Sequence, residues 1–283
     1  MIAFHEKNIY PDDFPVAIFP FQHMSFLPHW HNDIEIIHVY EGSLRICVNS
    51  KTRVLTKGES CICGSGDIHA YDSDDLECFA ILLLFRTDFM DNQIQWPKNA
   101  VFQTPFVNQL TIARYHMDSL CSEHIGNLLS DIQKEMSEKK EYYQLFVKSS
   151  IYELYGFILR NIPTISIQDD YYKSFTVINK MQNALDYIHT NYHEAITLTE
   201  ISNQTGLKTS QFSKLFRHMC GMSFVNYLNQ VRVSKAAEML VHTSESITSI
   251  SISCGFNSIR NFNYTFQKIK GLSPSALRKE KID

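Results

Sequence analysis

Two short segments in the last third of the chain share one arrangement of side chains. Read at helical spacing, each segment has phenylalanines on one face and hydrogen-bond donors, without any acidic residue, on the other. Such a polar face can bind phosphates and the base edges of the major groove, which admits an α-helix. We therefore predict contacts with double-stranded DNA from Lys208, Thr209, Ser210, Ser213, Lys214, Arg217, Ser258, Arg260, Asn263, Tyr264 and Gln267.

The two segments belong to a repeat. Residues 198–202 match residues 247–251, and residues 205–207 match residues 254–256, in both cases 49 positions later. The middle residue of the second block is glycine in both copies, and glycine accepts the positive φ that a tight turn requires. Each copy therefore predicts a helix-turn-helix unit, in which the polar-faced segment is the second helix.

A long helix over residues 224–240 is predicted between the two copies. It should pack against both units and hold them at a fixed separation. If that separation is about one turn of B-DNA, ~34 Å, one chain can read two successive segments of the major groove. The residues predicted to face inward are Tyr227, Leu228, Val231, Ala236 and Leu240.

Residues 179–278 resemble the DNA-binding domain of the AraC-type (arabinose-regulator) family of bacterial transcription regulators. The motifs that carry the resemblance include Leu198-Thr199-Glu200-Ile201, Phe212-Ser213-Lys214-Leu215-Phe216, Gly221-Met222-Ser223-Phe224, Cys254-Gly255-Phe256 and Gly271-Leu272-Ser273-Pro274. The chain departs from the family pattern at Ser202 and Ser251 (usually alanine), Tyr264 (often arginine) and Leu277 (commonly aromatic). The resemblance implies an activator of transcription that contacts RNA polymerase and forms a homodimer.

A second group of chemically active side chains lies near the start of the chain. His29-Trp30-His31 is followed by Glu35 and Gly42, and Gly58 is followed by Gly64-Ser65-Gly66 and His69. This order resembles the two motifs of the cupin barrel over residues 28–71, with Gly64 in place of the usual proline. In metal-binding cupins the matching residues would be four ligands, His29, His31, Glu35 and His69, and this donor set suits a divalent transition metal.

Three roles for these four residues are open from the sequence. In regulators the same positions often form the polar wall of a ligand pocket without a metal, and this is the role that we predict. The ligand would be a small polar effector, with sugars as one candidate class, and we expect no cofactor. A bound metal and an ordinary structural role are the two alternatives.

The barrel motifs alone would also permit an enzyme, namely a metal-dependent cupin isomerase or oxygenase with an attached DNA-binding domain. Two predicted recognition helices argue against this alternative, because an enzyme has no need of them. No nucleophile triad, phosphate-binding loop or dinucleotide-binding motif occurs in the sequence. We therefore predict a sequence-specific regulator controlled by a small molecule, and not an enzyme.

The elements that must position these residues indicate an α+β chain. Short apolar segments separated by turn signals, such as Glu41-Gly42-Ser43, predict a cupin-like β-barrel over residues 1–105. Helical periodicity then predicts a helical region over residues 106–162, which is a candidate for dimerisation. A linker is expected over residues 163–174, and the all-α DNA-binding domain over residues 175–283.

Two helices are predicted in the region between the barrel and the linker. Ser122 and Glu123 are start signals for the first helix, whose apolar residues share one face. The second helix, over residues 142–161, is so apolar that it must be covered on more than one side. Packing on its own barrel and packing in a dimer interface are equally compatible with the sequence.

Charge and cysteine content complete the prediction. The net charge is −4, yet from position 173 onward we count 13 Lys and Arg against 7 Asp and Glu, and this basic part favours an anionic partner. Seven cysteines lack the spacing of a zinc finger or a disulfide framework, which indicates reduced thiols. The longest apolar run, residues 79–85, is too short to span a membrane, and the first ten residues do not look like a signal peptide. We therefore expect a cytoplasmic protein without a membrane partner.

Overall fold

The computed structural model describes residues 10, 14–23, 25–73, 77–86, 100–102, 104–107, 118–166 and 169–279. The chain divides into two compact units, Met1–Ile178 and Asn179–Asp283. The first unit combines an antiparallel sheet with helices and the second unit is helical, which confirms the predicted α+β class. None of the described helices is long and apolar enough to cross a membrane.

Seven strands form the main sheet of the first unit. They are β1 (Val16–Phe21), β2 (Phe26–His29), β3 (Ile34–Val48), β4 (Lys51–Thr56), β5 (Ser60–Cys63), β6 (His69–Asp72) and β7 (Cys78–Phe85). The first half of β3 pairs with β5 and β7, and its second half pairs with β4 and β6, so the sheet curls around this strand. A separate pair joins β8 (Ala100–Phe102) to β9 (Thr164–Ser166).

β3 differs from the prediction of two strands joined by a turn at residues 41–43. It runs as one strand of 15 residues, and its pairing with β7 shifts register between Val39 and Glu41. Gly42, with φ of 71°, allows this bulge, because a Cβ there would lie only 1.9 Å from the carbonyl oxygen of Glu77. The turn prediction is therefore wrong: the glycine serves a close approach within the sheet.

Residues of β3 alternate between two apolar cores, as the period of a strand requires. Ile37 and Val39 belong to a core formed by strand residues. Ile34 and Ile36 belong to the core that the strands share with the helices of the first unit. One strand therefore connects the interior of the sheet with its helical cover.

The helices of the first unit are α1 (Asp118–Glu138) and α2 (Tyr143–Asn161). α1 begins four residues before Ser122, so the predicted start is wrong; no proline or glycine lies between positions 118 and 122 to stop the helix from extending upstream. One face of α2 is buried in its own unit. Leu145 and Phe146 of α2 are 63% and 58% exposed, and their burial by a partner stays a prediction.

The second unit is built from α3 (Asp169–Asn191), α4 (Leu198–Gln204), α5 (Thr209–Cys220), α6 (Phe224–His242), α7 (Ile247–Ser253), α8 (Ile259–Lys270) and α9 (Pro274–Lys279). The first residues of α3 belong to the first unit. The segment expected as a linker, 163–174, contains β9 and the start of this helix. The five residues of α6 predicted to face inward are all buried, which confirms that prediction.

Local capping explains where the short helices begin. Thr197 and Glu200 form a capping box at α4: Oγ1 of Thr197 accepts from the backbone N of Glu200 at 3.2 Å, and Oε2 of Glu200 accepts from the backbone N of Thr197 at 2.7 Å. At α7, Oγ of Ser246 accepts from the backbone N of Ser249 at 3.0 Å. Both helices precede the turns that lead into the predicted recognition helices.

Candidate functional site

α5 is the second helix of the first helix-turn-helix unit. Gly206, with φ of 64°, makes the turn after α4, and Gly221, with φ of 69°, ends α5. Phe212 and Phe216 are fully buried, with ring centroids 5.4 Å apart. Because these two residues fix one face of the helix to the core, the opposite face lies at the surface.

α8 repeats this construction in the second helix-turn-helix copy. Oγ of Ser258 accepts from the backbone N of Asn261 at 3.2 Å and so caps the helix. Phe262 and Phe266 are fully buried, with ring centroids 5.5 Å apart. Gly271, with φ of 74°, ends the helix. The two copies therefore present equivalent helix faces at the surface.

Most residues predicted to contact DNA are exposed. The exposed set is Lys208, Ser210, Ser213, Lys214, Arg217, Ser258, Arg260, Asn263, Tyr264 and Gln267. Thr209 is half-buried, and its Oγ1 lies 3.3 Å from Oγ of Ser202. The geometry places the whole set on or beside α5 and α8, and contact of these residues with DNA stays a prediction.

Two further exposed side chains on these helices can contact a phosphate, the imidazole of His218 and the amine of Lys268. The sequence prediction omits them, although each follows a predicted contact by four residues, His218 after Lys214 and Lys268 after Tyr264. Residues four apart are neighbours on a helix surface, so this spacing was the available signal. Neither α5 nor α8 contains an acidic residue that would repel a phosphate.

The structure also brings together the four residues of the cupin motifs. Ligating atoms of His29, His31, Glu35 and His69 all lie within 4.8 Å of one another. His29 ends β2 and pairs in register with His69, the first residue of β6, while Glu35 lies in β3. Three strands therefore meet at this group, which we call the histidine cluster.

Backbone carbonyls orient the three imidazole rings. Nδ1 of His29 lies 2.8 Å from the carbonyl oxygen of Leu27, and Nδ1 of His31 lies 3.1 Å from that of Asp33. Nδ1 of His69 lies 2.8 Å from the carbonyl oxygen of Asp67. A ring nitrogen beside a carbonyl must carry its proton in order to donate. In each neutral ring the lone pair is then on Nε2, the atom that the metal-binding geometry needs.

Glu35 lies between two of these rings. Its carboxylate is 3.3 Å from Nε2 of His31 and 3.6 Å from Nε2 of His69. Burial lowers the pKa of His29 to about 3, and the charge of His69 acts in the same direction. Burial alone would raise the pKa of Glu35, but His69 and His31 outweigh it and hold that pKa well below its usual range. Burial alone would lower the pKa of His69, but the charge of Glu35 outweighs it and raises that pKa.

The donor set fits a metal ion, which the cupin resemblance implies. Within the described part of the chain, Nε2 of His69 and Oε1 of Glu35 are buried without a hydrogen bond, since the 3.6 Å between them is too long for one. Buried polar atoms in native proteins nearly always have a partner. Imidazole nitrogens with a carboxylate are the ligands that divalent transition metals prefer. A cavity of 230 Å³ between β1 and α1 includes none of these four residues.

Comparison with known proteins gives two family matches. Residues 201–280 match the family described as helix-turn-helix domain, and residues 16–85 match the family described as cupin domain. The first match spans α5 and α8, and the second spans the histidine cluster.

Individual proteins with related sequences are regulators. The chain is 22% identical over 253 residues to an uncharacterized HTH-type transcriptional regulator, YdeC, of Bacillus subtilis, with 89% of this chain and 85% of that protein covered. It is 24% identical over 237 residues to an uncharacterized HTH-type transcriptional regulator of Staphylococcus aureus, with 82% of this chain and 30% of that protein covered. The chain thus spans less than a third of the length of this staphylococcal relative.

A solved structure shows a likeness confined to part of the chain. It is the transcriptional regulator from Chromobacterium violaceum described as belonging to the AraC-type DNA-binding domain-containing proteins, 26% identical, with a TM-score of 0.35 and with 36% of this chain and 92% of that chain covered. The two domain matches coincide with the two helix-turn-helix units and the histidine-bearing sheet of the structure. The chain carries a helix-turn-helix domain and a cupin domain, and it is similar over most of its length to an HTH-type transcriptional regulator.

Proposed function

We propose that this regulator reads its operator by inserting α5 and α8 into two successive segments of the major groove, and that a ligand at the histidine cluster controls this binding. The observation that carries the proposal is the pair of equivalent helix faces, which are exposed, rich in donors and free of acidic residues. Such faces offer both phosphate contacts and base readout.

The side chains divide by the contacts that their chemistry favours. Arg260 can donate two hydrogen bonds to O6 and N7 of guanine, and Asn263 or Gln267 can pair with N6 and N7 of adenine. Lys214 carries a single charged amine, which suits a phosphate. Base contacts set specificity and phosphate contacts set overall affinity, so these residues should affect binding in different ways.

Selection of bound sequences from a random DNA pool with the full-length chain tests this proposal. We expect an enriched motif of two blocks whose centres are about one helical turn, ~10.5 base pairs, apart. Arg260→Ala should relax the sequence preference within one block, and Lys214→Ala should weaken binding to all selected sequences. Lys57→Ala, an exposed residue of the first unit, is the matched loss of charge and should change neither. Enrichment of no motif, or of a single block only, would overturn the proposal.

For the ligand we propose a divalent transition metal, alone or as the point of attachment for a small effector. The two buried atoms in His69 and Glu35, which have no hydrogen-bond partner among the residues that the structure describes, favour this over a purely organic ligand. The four residues of the histidine cluster would hold the ion, and the ion would supply positive charge that ties β2, β3 and β6 together. Binding to the folded state alone would then stabilise the first unit.

Titration of the metal-free full-length chain with zinc, nickel, cobalt and manganese salts tests the metal. We expect one ion per chain, a higher unfolding temperature and a changed operator affinity with at least one metal. His69→Ala should abolish all three effects, whereas His124→Ala should retain them, because His124 pairs with Glu153 outside the cluster. Equal metal binding by both variants would refute the assignment.

For the sign of regulation and the oligomeric state we propose what the family resemblance implies. The AraC-type resemblance favours activation through RNA polymerase and a homodimer. A reporter gene behind the selected operator measures the sign, and light scattering of the full-length chain measures the mass. Leu145→Ser with Phe146→Ser should give a monomer if the exposed face of α2 is the dimer interface.

A further inference from the structure

The two helix-turn-helix units differ at their turns, although their sequences repeat. Gly206 and Gly255 both have positive φ, 64° and 80°. A Cβ added at Gly206 would meet only Nζ of Lys180, at 3.9 Å. A Cβ added at Gly255 would lie 2.8 Å from the carbonyl oxygens of both Tyr192 and His193. Among the residues that the structure describes, the turn at Gly255 is therefore pressed against another backbone segment and the turn at Gly206 is not.

Arg232 of α6 lies at this contact and joins three segments. Its Nε donates to the carbonyl oxygen of Tyr192 at 2.7 Å, and its Nη2 donates to the carbonyl oxygen of Glu194 at 2.6 Å. Its guanidinium carbon is 5.8 Å from the ring centre of Phe256, the residue that follows Gly255. The accepting carbonyls belong to the segment after α3, where helical partners are no longer available.

Phe256 connects this contact to the second predicted recognition helix. It is buried, and its ring packs edge-on against Phe262 of α8, with centroids 5.1 Å apart. A change in the turn at Gly255 therefore displaces α8 directly. Hydrogen bonds to base edges weaken steeply when donors move out of line, so a small displacement is sufficient to weaken base readout.

We infer that Arg232 is a positioning residue for DNA recognition: it clamps the turn at Gly255 to residues 192–194 and thereby sets the orientation of α8 but not that of α5. The inference rests on the proposal that both helices read DNA. It predicts that loss of the clamp weakens one block of the operator selectively. A residue that only stabilised the fold would affect both blocks alike.

Footprinting of the full-length chain on its selected two-block operator tests the clamp. Arg232→Lys keeps the charge, but a lysine amine cannot reproduce the paired donors of the guanidinium. Gly255→Ala pushes a methyl group against the carbonyls of Tyr192 and His193. Gly206→Ala is the matched control, because it brings the same positive-φ strain without a nearby carbonyl.

We expect Arg232→Lys and Gly255→Ala to lower protection of the α8 block about tenfold, and that of the α5 block by less than about twofold, on the scale of a lost charged hydrogen bond. Gly206→Ala should not show this selective loss at the α8 block. Equal loss at both blocks, loss at the α5 block alone, or no loss with Arg232→Lys would overturn the inference.

Amide hydrogen exchange without DNA tests the clamp independently of the proposed function. Arg232→Lys should speed exchange at least about tenfold for residues 254–262, and leave residues 205–212, in the first helix-turn-helix copy, unchanged. Uniform acceleration across the second unit, or none, would overturn the clamp. If the wild-type chain selected no DNA motif at all, the proposed function would fail while this measurement still decided the role of Arg232.

Discussion

Replacement of Ser251 by alanine should stabilise the second unit. Ser251 of α7 is 1% exposed, and among the described residues its Oγ has no hydrogen-bond partner. Ser202 of α4 is the equivalent residue in the first copy and is fully buried too. Its Oγ, however, donates to the carbonyl oxygen of Thr199 at 2.9 Å and lies 3.3 Å from Oγ1 of Thr209. The two serines therefore form a matched pair that differs in hydrogen bonding.

The expected change follows from these environments. A buried hydroxyl without a partner costs about 1–3 kcal/mol, and alanine is the better helix former by about 0.5 kcal/mol. Ser251→Ala should therefore raise the free energy of unfolding, because the removed oxygen takes no hydrogen bond with it; the small void that the oxygen leaves offsets part of the gain, so that about 1–2 kcal/mol remains. Ser202→Ala loses a bond of about 1 kcal/mol and gains the same propensity, so it should be neutral or destabilising by about 0.5 kcal/mol.

Native-state hydrogen exchange of the full-length chain is the suitable assay, because it assigns stability to each unit separately. The slowest amides of the second unit should exchange about 5–30-fold more slowly in Ser251→Ala than in the wild type. The melting transition of this unit should rise by roughly 5 °C per kcal/mol. If Ser251→Ala were neutral or destabilising, or if Ser202→Ala stabilised the unit equally, the reasoning from the unpartnered hydroxyl would be refuted.

Three other expected outcomes concern the sheet, a buried histidine and the DNA-binding face. Gly42→Ala should destabilise the first unit by more than about 2 kcal/mol. Gly58 has φ of 82° and no described atom within 4 Å of an added Cβ, so Gly58→Ala should cost only the backbone strain of about 1–2 kcal/mol. Urea unfolding measures both changes. Burial lowers the pKa of His38 from 6.5 to about 4, so folding favours its neutral form; the resulting stability is complete above pH 6.5 and is lost as pH falls towards 4. His38→Gln should make unfolding curves in that pH window less pH-dependent, and an unchanged slope would contradict this role. Operator affinity should fall steeply with salt, and Lys214→Ala should reduce the slope of log affinity against log salt by about 1, so a slope that stayed constant would place Lys214 away from the phosphates.

The sequence was informative wherever one short pattern decides the structure. The spacing of Phe212 and Phe216, and of Phe262 and Phe266, identifies the buried faces of α5 and α8 without knowledge of anything else in the chain. The same holds for α6, whose five inward residues are all buried. The cupin motifs likewise named four residues that the fold brings within 4.8 Å of one another.

Local patterns failed where a distant segment decides the outcome. Residues 41–43 carry an ordinary turn signal, yet β3 continues through them because the Glu77 carbonyl, 35 positions away, fills the space beside Gly42. Start signals at Ser122 were similarly misleading, since a capping residue permits a helix to begin but does not prevent it from extending upstream.

The repeat shows most clearly what sequence similarity leaves undetermined. Equal spacing of helix, glycine and helix gives both copies the same internal fold, and for that reason their polar faces were predictable. It does not give them the same neighbours. A Cβ at Gly206 would approach one flexible lysine end, whereas a Cβ at Gly255 would meet the carbonyl oxygens of His193 and of Tyr192, and Arg232 binds the latter. The hydroxyl of Ser202 has a hydrogen-bond partner, whereas that of Ser251 has none in the described part of the chain. Differences in function between α5 and α8 should therefore arise from contacts outside the repeated motif, which only the packed structure reveals.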